Sequence, residues 1–259
     1  MKILEYNTSN NIRAFSTYRG KGSDNYAEFN ITHYCGDSQE HVAKCRAELC
    51  RMLGIDDDRL ILPRQTHGNK TLCVDENFIA LNKSKQTELL YGIDAIITDL
   101  PQTCIGVSTA DCIPILLYDS TRRVVAAIHA GWRGTVADIA KECVTTMQER
   151  YGCCPGELKA IIAPGISQES FEVGDEVYDQ FADAGFPMTR IAARYPAEDG
   201  DKWHIDLWEA NRILLTDTGI RESDITVSGV CTYKQHDDFF SARRLGINSG
   251  RIFNGIMLL

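Results

Sequence analysis

Three residues with nitrogen or sulfur donor atoms stand where apolar stretches of this sequence begin or end. His67 lies in LILPRQTHGNK, Cys112 precedes the apolar run of TADCIPILLYD, and His129 ends the run of VVAAIHAGWRG. Side chains at strand ends can converge at one rim of a sheet without disturbing the core. Two histidines and one cysteine are the ligands of an open zinc site, whose fourth position is left for water or substrate. The three residues are therefore candidate metal ligands.

Spacing alone leaves other interpretations open, because the sequence has neither a C-x-x-C nor an H-E-x-x-H pair. His67 could be a turn histidine, His129 a core histidine bonded to backbone, and Cys112 a buried thiol. Cys112 could also be a thiolate nucleophile with one of the histidines as its base. A closed structural or metal-buffering site is a further alternative, which would need a fourth ligand such as Cys231 or His236.

Polar residues around these three suggest proton transfer and anion binding. Asp111 adjoins Cys112 and could accept a proton from bound water or orient a ligand, or it could merely cap a turn. Arg133 lies between Gly131 and Gly134, where a sharp turn leads into a helix whose first N–H groups could bind an anion. Forked guanidinium donors suit phosphate. The remaining candidates for contacts to phosphate or substrate are Arg64, Gln65, Arg243 and Arg244, with Arg251 in the same C-terminal cluster.

The elements that must position these residues are short. Apolar residues at three- and four-residue spacing predict helices over 39–53, 175–184 and 206–217, and a further helix after GWRGT with Thr135 as its N-cap. Strands are predicted at 59–62, 70–74, 93–98, 104–108, 113–118, 123–129, 158–162, 225–230 and 251–258. Runs such as IPILLY are apolar throughout and should be buried on both faces. Segment 190–203 is predicted to be a long, mobile polar loop.

The order of these elements indicates the fold class. Four strands in a row between residues 93 and 129 do not fit a regular alternation of strand and helix. No sequence repeat of fixed period is present, which excludes solenoids and propellers. We predict an α+β fold with mixed sheets in its centre and helices outside, in a single domain over residues 1–259.

Charge and composition restrict the partners. The 259 residues carry a net charge of −9, which disfavours nucleic acid as a partner. We expect a cytoplasmic protein, because no apolar stretch has the length of a membrane helix and the N-terminus has no signal-peptide core. In a reducing compartment, the ten cysteines are expected to be free and mostly buried thiols.

Several motifs occur in an order that resembles the YfiH/YlmD family, whose members are also called laccase-domain, polyphenol oxidase or peptidoglycan editing factor proteins. These motifs are RQTHGN, DAIITD, TADCIPILLYD, HAGWRGT and CTY followed by FFSARR. The resemblance runs from about residue 15 to residue 259 and implies a sandwich of mixed sheets with a His-Cys-His metal site, usually zinc. Position by position, the ligands would be His67, Cys112 and His129. The chain departs from the family at Glu28-Phe29-Asn30 and at Glu169-Ser170-Phe171, both near the expected pocket.

The resemblance implies purine nucleoside phosphorolysis of adenosine, inosine, guanosine and methylthioadenosine, together with deamination of adenosine. A metal-activated water would serve the deamination, and an anion pocket would hold phosphate for the phosphorolysis. An alternative is an amidase that edits cytoplasmic peptidoglycan precursors at the same site. A multicopper oxidase needs paired H-x-H motifs, whereas this chain has six histidines and no such pair. A lone His/Cys site could still bind copper and oxidise polyphenols weakly.

Overall fold

Two large mixed β-sheets dominate the part of the chain that the computed structural model describes, which is residues 1–22, 24–198 and 200–259. Their strand orders are β1-β2-β14-β6-β3 and β13-β9-β7-β8-β5-β4, and a small third sheet has the order β10-β12-β11. The strands are β1 (Ile3–Glu5), β2 (Ile12–Thr17), β3 (Leu60–Ile61), β4 (Thr71–Val74), β5 (Ala95–Thr98), β6 (Cys104–Thr109), β7 (Ile113–Asp119), β8 (Val124–Ala130), β9 (Lys159–Ile162), β10 (Glu172–Val173), β11 (Ala192–Tyr195), β12 (Lys202–Ile205), β13 (Ile225–Val227) and β14 (Ile252–Leu258).

Helices cover the outer faces of the two large sheets. They are α1 (Gln39–Leu53), α2 (Glu76–Ile79), α3 (Lys83–Leu90), α4 (Trp132–Val136), α5 (Ile139–Tyr151), α6 (Asp175–Asp183), α7 (Met188–Ile191), α8 (Leu207–Asp217) and α9 (Ala242–Leu245). Leu49 of α1 packs with Phe253 on the five-stranded sheet, and Cys143 of α5 packs on the six-stranded sheet. The predicted α+β class is confirmed. No described helix combines the length and the apolar character that crossing a bilayer requires.

Strands β7 and β8 are buried along their whole length, as predicted. Alternate residues face opposite sides: Val125 and Ala127 contact the core between the two large sheets, whereas Ala126 and Ile128 contact the core beneath α5. Each fully buried valine, leucine or isoleucine side chain of these strands contributes roughly 1.5–3 kcal/mol. The two strands are thus anchored on both faces, and their ends provide fixed positions for polar side chains.

The predicted start of the helix after GWRGT is wrong. Thr135 lies inside α4, where it is buried and its hydroxyl accepts a hydrogen bond from Asn211 at 3.1 Å. Gly131 is the N-cap of α4, and Asp138 separates α4 from α5 because its φ of 59° lies in the left-handed region. The N-terminus that was expected to bind an anion therefore belongs to a helix of only five residues.

Segment 190–203 is not the predicted loop. Strands β11 and β12 form an antiparallel hairpin there, from the pair Ala192–Ile205 to the pair Tyr195–Lys202. The ring of Trp203 stacks on that of Tyr178 in α6, with 4.1 Å between the ring centroids. This gives the polar hairpin an apolar contact. Residue 199 lies outside the described residues, and the mobility of this segment stays a prediction. The N-terminal strands β1 and β2 were not predicted either.

A methyl group at Gly106 should destabilise the centre of the five-stranded sheet. A Cβ at this position would lie 2.4 Å from the ring of Phe253 and 2.5 Å from the carbonyl oxygen of Asn254. We expect Gly106→Ala to lower the free energy of unfolding by about 1–3 kcal/mol, measured by urea denaturation followed by circular dichroism. The control is Gly156→Ala, whose Cβ would have no neighbour within 4 Å. Equal stability of the two variants would contradict this account of the sheet.

Candidate metal centre

The pairing of β7 with β8 brings Cys112 and His129 to one end of the six-stranded sheet. His129 is the register partner of Pro114, and Ala130 that of Ile113. Cys112, the next residue back along the chain, therefore lies beside Gly131, where a Cβ would be 3.0 Å from the Cys112 Sγ. Both side chains fall on the face that looks towards the five-stranded sheet, because His129 alternates in phase with Val125 and Ala127 of the core between the sheets.

His67 joins the pair from the loop that precedes β4. Its backbone is left-handed, with φ 63°, and its ring centroid lies 4.8 Å from that of His129. The donor atoms of His67, Cys112 and His129 all lie within 4.8 Å of one another. The structure therefore brings the three predicted residues together in a group that could hold one metal ion. Two imidazoles and one thiolate at this spacing are a donor set that fits zinc.

Asp94 is the important residue that the sequence analysis missed. It directly precedes β5 and lies opposite His129, whose backbone N–H donates to the Asp94 carbonyl at 2.7 Å. The buried Asp94 carboxylate bonds the His129 Nδ1 at 2.8 Å, which leaves the Nε2 of this imidazole for a metal. Asp94 is the first residue of the motif DAIITD. A carboxylate directly before an apolar strand was the feature of the sequence that could have identified it.

Charge pairing governs the protonation of the group. Burial alone would raise the pKa of the Cys112 thiol, but the charges and hydrogen bonds of His129 and His67 outweigh it and lower this pKa to about 6. Burial alone would lower the pKa of His129, but the Cys112 thiolate and the Asp94 carboxylate raise it to about 9. In the metal-free protein at neutral pH, Cys112 is therefore a thiolate paired with an imidazolium, and a metal would displace the imidazole proton.

A cavity of about 930 Å³ opens over the three residues. This volume is in the range of small-molecule sites in proteins. Its other lining residues include Tyr34, Ser108, Phe171, Arg243, Ile247 and Arg251. Phe171 belongs to one of the two stretches in which the chain departs from the family pattern. One of the differing residues therefore lines the cavity.

Two of the predicted site residues in this wall, Asp111 and Gln65, are held by other parts of the protein. The two Asp111 carboxylate oxygens accept hydrogen bonds from the Thr232 hydroxyl and from the Arg243 backbone N–H, each at 2.7 Å. These bonds give Asp111 a structural role, in which it joins two segments that are remote in the chain. The Gln65 side chain donates to the Ser108 carbonyl at 2.8 Å and accepts from the Ser108 N–H at 2.9 Å, so Gln65 joins the His67 loop to β6.

The predicted arginines divide into two groups. Arg243 lines the cavity, as does Arg251, which the sequence analysis had noted without assigning it a role. Arg64, Arg133 and Arg244 are not among the lining residues. Each of these three is exposed and lies over an aromatic ring: Arg133 over Trp132 at 4.2 Å, Arg64 over Tyr91 at 5.3 Å and Arg244 over Tyr233 at 5.3 Å. These ring contacts stabilise the three side chains where they lie, and Arg64 is also 5.8 Å from the ring centroid of Tyr34, which lines the cavity.

The alternative of a closed site has no fourth ligand in the part of the chain that the structure describes. Cys231 is not part of the donor group and instead accepts a hydrogen bond from the Ser167 hydroxyl at 3.1 Å, at the edge of a different cavity. His236 also lies outside the group. The centre is therefore open towards the cavity, which is the arrangement of a site that admits water or substrate.

Comparison with known proteins identifies the family. A family model described as multi-copper polyphenol oxidoreductase laccase matches residues 13–259. The chain belongs to this family. The structure of the hypothetical protein YfiH of Bacillus licheniformis is similar, with a TM-score of 0.85 and 27% sequence identity. The match covers 99% of this chain and 96% of the YfiH chain. YlmD from Geobacillus stearothermophilus gives a TM-score of 0.86 and 28% identity, over 96% and 92% of the two chains. The resemblance to YfiH/YlmD proteins is confirmed.

Relatives of similar length are named as enzymes of purine nucleosides. A purine nucleoside phosphorylase of Bacteroides thetaiotaomicron is 44% identical over 250 residues, which are 96% of this chain and 92% of that protein. Adenosine deaminase RL5, from an unknown prokaryotic organism, is 46% identical over 247 residues, or 95% and 93% of the two proteins. These relatives support the prediction that the protein is an enzyme. The family description names several coppers, whereas the described residues bring together one group of three donors.

A methyl group on Gly131 should disturb the centre without disturbing the fold. The backbone there, with φ −65° and ψ 165°, suits any residue, but a Cβ would lie 3.0 Å from both the Cys112 Sγ and the His67 Cδ2. We expect Gly131→Ala to push these ligands apart and to weaken zinc binding by roughly tenfold, measured by competition with a chromogenic chelator. The thermal midpoint of the metal-free protein should stay close to that of the wild type. Unchanged zinc affinity would contradict the proximity of the two ligands.

The charge pair makes a prediction about thiol reactivity. Because the pKa of Cys112 is about 6, its thiolate is present above that pH and is lost as the pH falls through it. In the metal-free protein, the alkylation of Cys112 by iodoacetamide should be near its maximum at about pH 8 and be halved near pH 6.

Peptide mass spectrometry locates the modified cysteine, and buried Cys143, whose pKa is raised by desolvation, serves as the unreactive reference. His129→Ala should move the midpoint for Cys112 to higher pH, because it removes the paired cation. A midpoint that does not respond to this variant would show that the pair is not coupled.

Proposed function

We propose that the protein is a zinc-dependent purine nucleoside phosphorylase that also deaminates adenosine. Its phosphorolysis substrates would be adenosine, inosine, guanosine and methylthioadenosine. The observation that carries the proposal is the position of the His67–Cys112–His129 group inside a 930 Å³ cavity that also contains two arginines. The relatives named above, which match over nearly the whole chain, support the same substrate class.

The chain's own residues would hold the reacting groups. A bound zinc ion would supply Lewis acidity and an acidified water to this site. His67, Cys112 and His129 would hold that ion, and the buried Asp94 would keep the His129 ring in a single orientation. The cavity wall would shield part of a bound substrate from bulk water, which would strengthen the electrostatic interactions inside.

Phosphate would be bound by Arg243 and Arg251. Arg243 reaches the cavity from α9, where its guanidinium donates to the Glu172 carbonyl at 3.1 Å and its backbone is held by Asp111. Arg251 is held by the carbonyls of Ile247 and Gly250, each at 2.9 Å. Both guanidiniums bond backbone carbonyls, and neither forms an ion pair with a carboxylate among the described residues. An anion placed between these arginines and the metal group could be directed at the anomeric carbon, and such positioning supplies much of the rate of phosphorolysis.

Tyr34 offers a surface for the purine base. Its hydroxyl is fixed by the Ser108 hydroxyl at 2.8 Å, while the residue is 36% exposed and lines the cavity. An aromatic ring that is fixed in this way can stack on a flat base at little entropic cost. Phe171 adds a second aromatic side chain to the same cavity.

The central experiment supplies the purified protein with inosine and phosphate, and separately with adenosine. We expect hypoxanthine with ribose 1-phosphate from the first mixture and inosine from the second. His129→Ala should abolish both zinc binding and turnover while the circular dichroism spectrum stays that of a folded protein. The control His33→Ala removes an exposed histidine that bonds Gln39, and it should change neither quantity.

Two results would count against the proposal. Full phosphorolysis by a metal-free His129→Ala protein would exclude a metal-dependent reaction. Release of the amino acid from UDP-muramoyl-serine, with no product from either nucleoside, would favour the alternative precursor-editing amidase at the same site.

The phosphate site can be tested by comparing two arginines. Arg243→Ala removes a cavity guanidinium and should raise the KM for phosphate by about tenfold or more, because a charge-assisted hydrogen bond contributes roughly 1.5–3 kcal/mol. Arg133→Ala removes an exposed side chain that stacks on Trp132 and should leave this KM within about twofold of the wild-type value. A larger effect at Arg133 would place the anion outside the cavity described here.

A further inference from the structure

The buried Asp94 carboxylate contacts both segments that carry a candidate histidine ligand. We propose that Asp94 is a positioning residue that sets His129 and His67 together, so that the metal group forms as one unit. The inference rests on the proposed zinc site and concerns how the chain constructs it. No single strand or loop carries both histidines, so another group has to fix their positions relative to each other.

The contact with His129 is given by the sheet register. Ala95 pairs with Ile128, so Asp94 and His129 face each other at the next position. Their backbones are joined by the hydrogen bond from the His129 N–H to the Asp94 carbonyl at 2.7 Å, and their side chains by the Oδ1–Nδ1 bond at 2.8 Å. Both side chains are almost completely buried, at 0% and 3% exposure of the residues. The imidazole can therefore neither rotate nor exchange its nitrogens without breaking its buried bond to the carboxylate.

The contact with His67 is made through the backbone. Asp94 Oδ1 accepts the His67 N–H at 2.9 Å, and Oδ2 accepts the N–H groups of Gly68 at 2.8 Å and Thr66 at 3.2 Å. These bonds hold His67 at φ 63°, a conformation that costs a non-glycine residue roughly 1–2 kcal/mol. The His67 side chain is exposed, so core packing does little to fix it. The carboxylate supplies the restraint that packing does not.

The four hydrogen bonds use the full acceptor capacity of a carboxylate. An asparagine at this position has nearly the same size but only one acceptor oxygen, and its amide N–H groups would face donors. Asp94→Asn therefore removes the negative charge and at least the hydrogen bonds of one oxygen while keeping the volume. Asp111, the other aspartate near the centre, is occupied by Thr232 and Arg243 and cannot take over this role.

The test compares Asp94→Asn with Asp119→Asn. Asp119 is also fully buried and accepts the N–H groups of Thr121 and Arg122 at 2.9 and 2.8 Å, but it lies at the opposite end of β7 from Cys112. We expect Asp94→Asn to raise the zinc Kd by roughly 10–100-fold and to change the visible absorption of the Co²⁺-substituted protein. Asp119→Asn should leave the zinc Kd within about twofold of wild type and the Co²⁺ spectrum unchanged, even if it lowers the thermal midpoint as much as Asp94→Asn does.

A second measurement separates one histidine from two. In the metal-free protein, Asp94→Asn should speed the hydrogen exchange of the backbone N–H groups of Thr66, His67 and Gly68, because it weakens their acceptor. Unchanged exchange at these groups would confine Asp94 to His129 and overturn the inference, as would a wild-type zinc Kd and Co²⁺ spectrum in the single variant.

If Asp94→Asn does not fold, ¹⁵N NMR of the zinc-loaded wild type decides the question. The inference requires a proton on His129 Nδ1 and zinc on Nε2, and zinc on Nδ1 would overturn it. A wild-type protein that binds no zinc would remove the proposed function and this inference together. Normal zinc binding by wild type and by Asp94→Asn would remove the inference alone.

Discussion

The antiparallel pairing of β7 with β8 and of β8 with β5 is the constraint on which the candidate site depends. Its register sets Cys112 beside Gly131 and Asp94 opposite His129. A shift by one residue would turn these side chains to the other face of the sheet and bury the polar groups beneath α5. The strands resist such a shift because both of their faces pack against apolar cores. Core packing therefore determines the geometry of the chemistry at the strand ends.

Asp111 connects the metal group to the wall of the cavity. It follows β6 and precedes Cys112, and its φ of 85° turns the chain between β6 and β7. Its carboxylate holds the backbone of Arg243 and the hydroxyl of Thr232. One short turn thus relates a ligand thiol to a cavity arginine across more than a hundred residues of sequence. This gives Asp111 a structural reason to be present that does not require it to exchange protons.

The sequence predicted those features that depend on local pattern. Continuous apolar runs indicated β7 and β8, and the donor residues at the strand ends indicated His67, Cys112 and His129. The arginines could not be sorted by the same means, because whether Arg133 or Arg243 reaches a cavity depends on which aromatic ring or backbone lies nearby in space. The hairpin of β11 and β12 was missed because its strands are polar and partly exposed. Asp94 was missed because its importance comes from the residue opposite it.

The last long strand, β14, lies between β2 and β6 in the five-stranded sheet. Ser16 and Asn254 hydrogen-bond at 2.6 Å although 238 positions separate them in the chain. During synthesis, the early strands must therefore wait for β14 before this sheet can close. Segment 242–251, which brings Arg243 and Arg251 to the cavity, leaves the ribosome just ahead of β14. Contacts of such long range slow folding and expose unpaired strand edges meanwhile. Closure of this sheet, and of the cavity wall that precedes β14, should accordingly be a late step in folding.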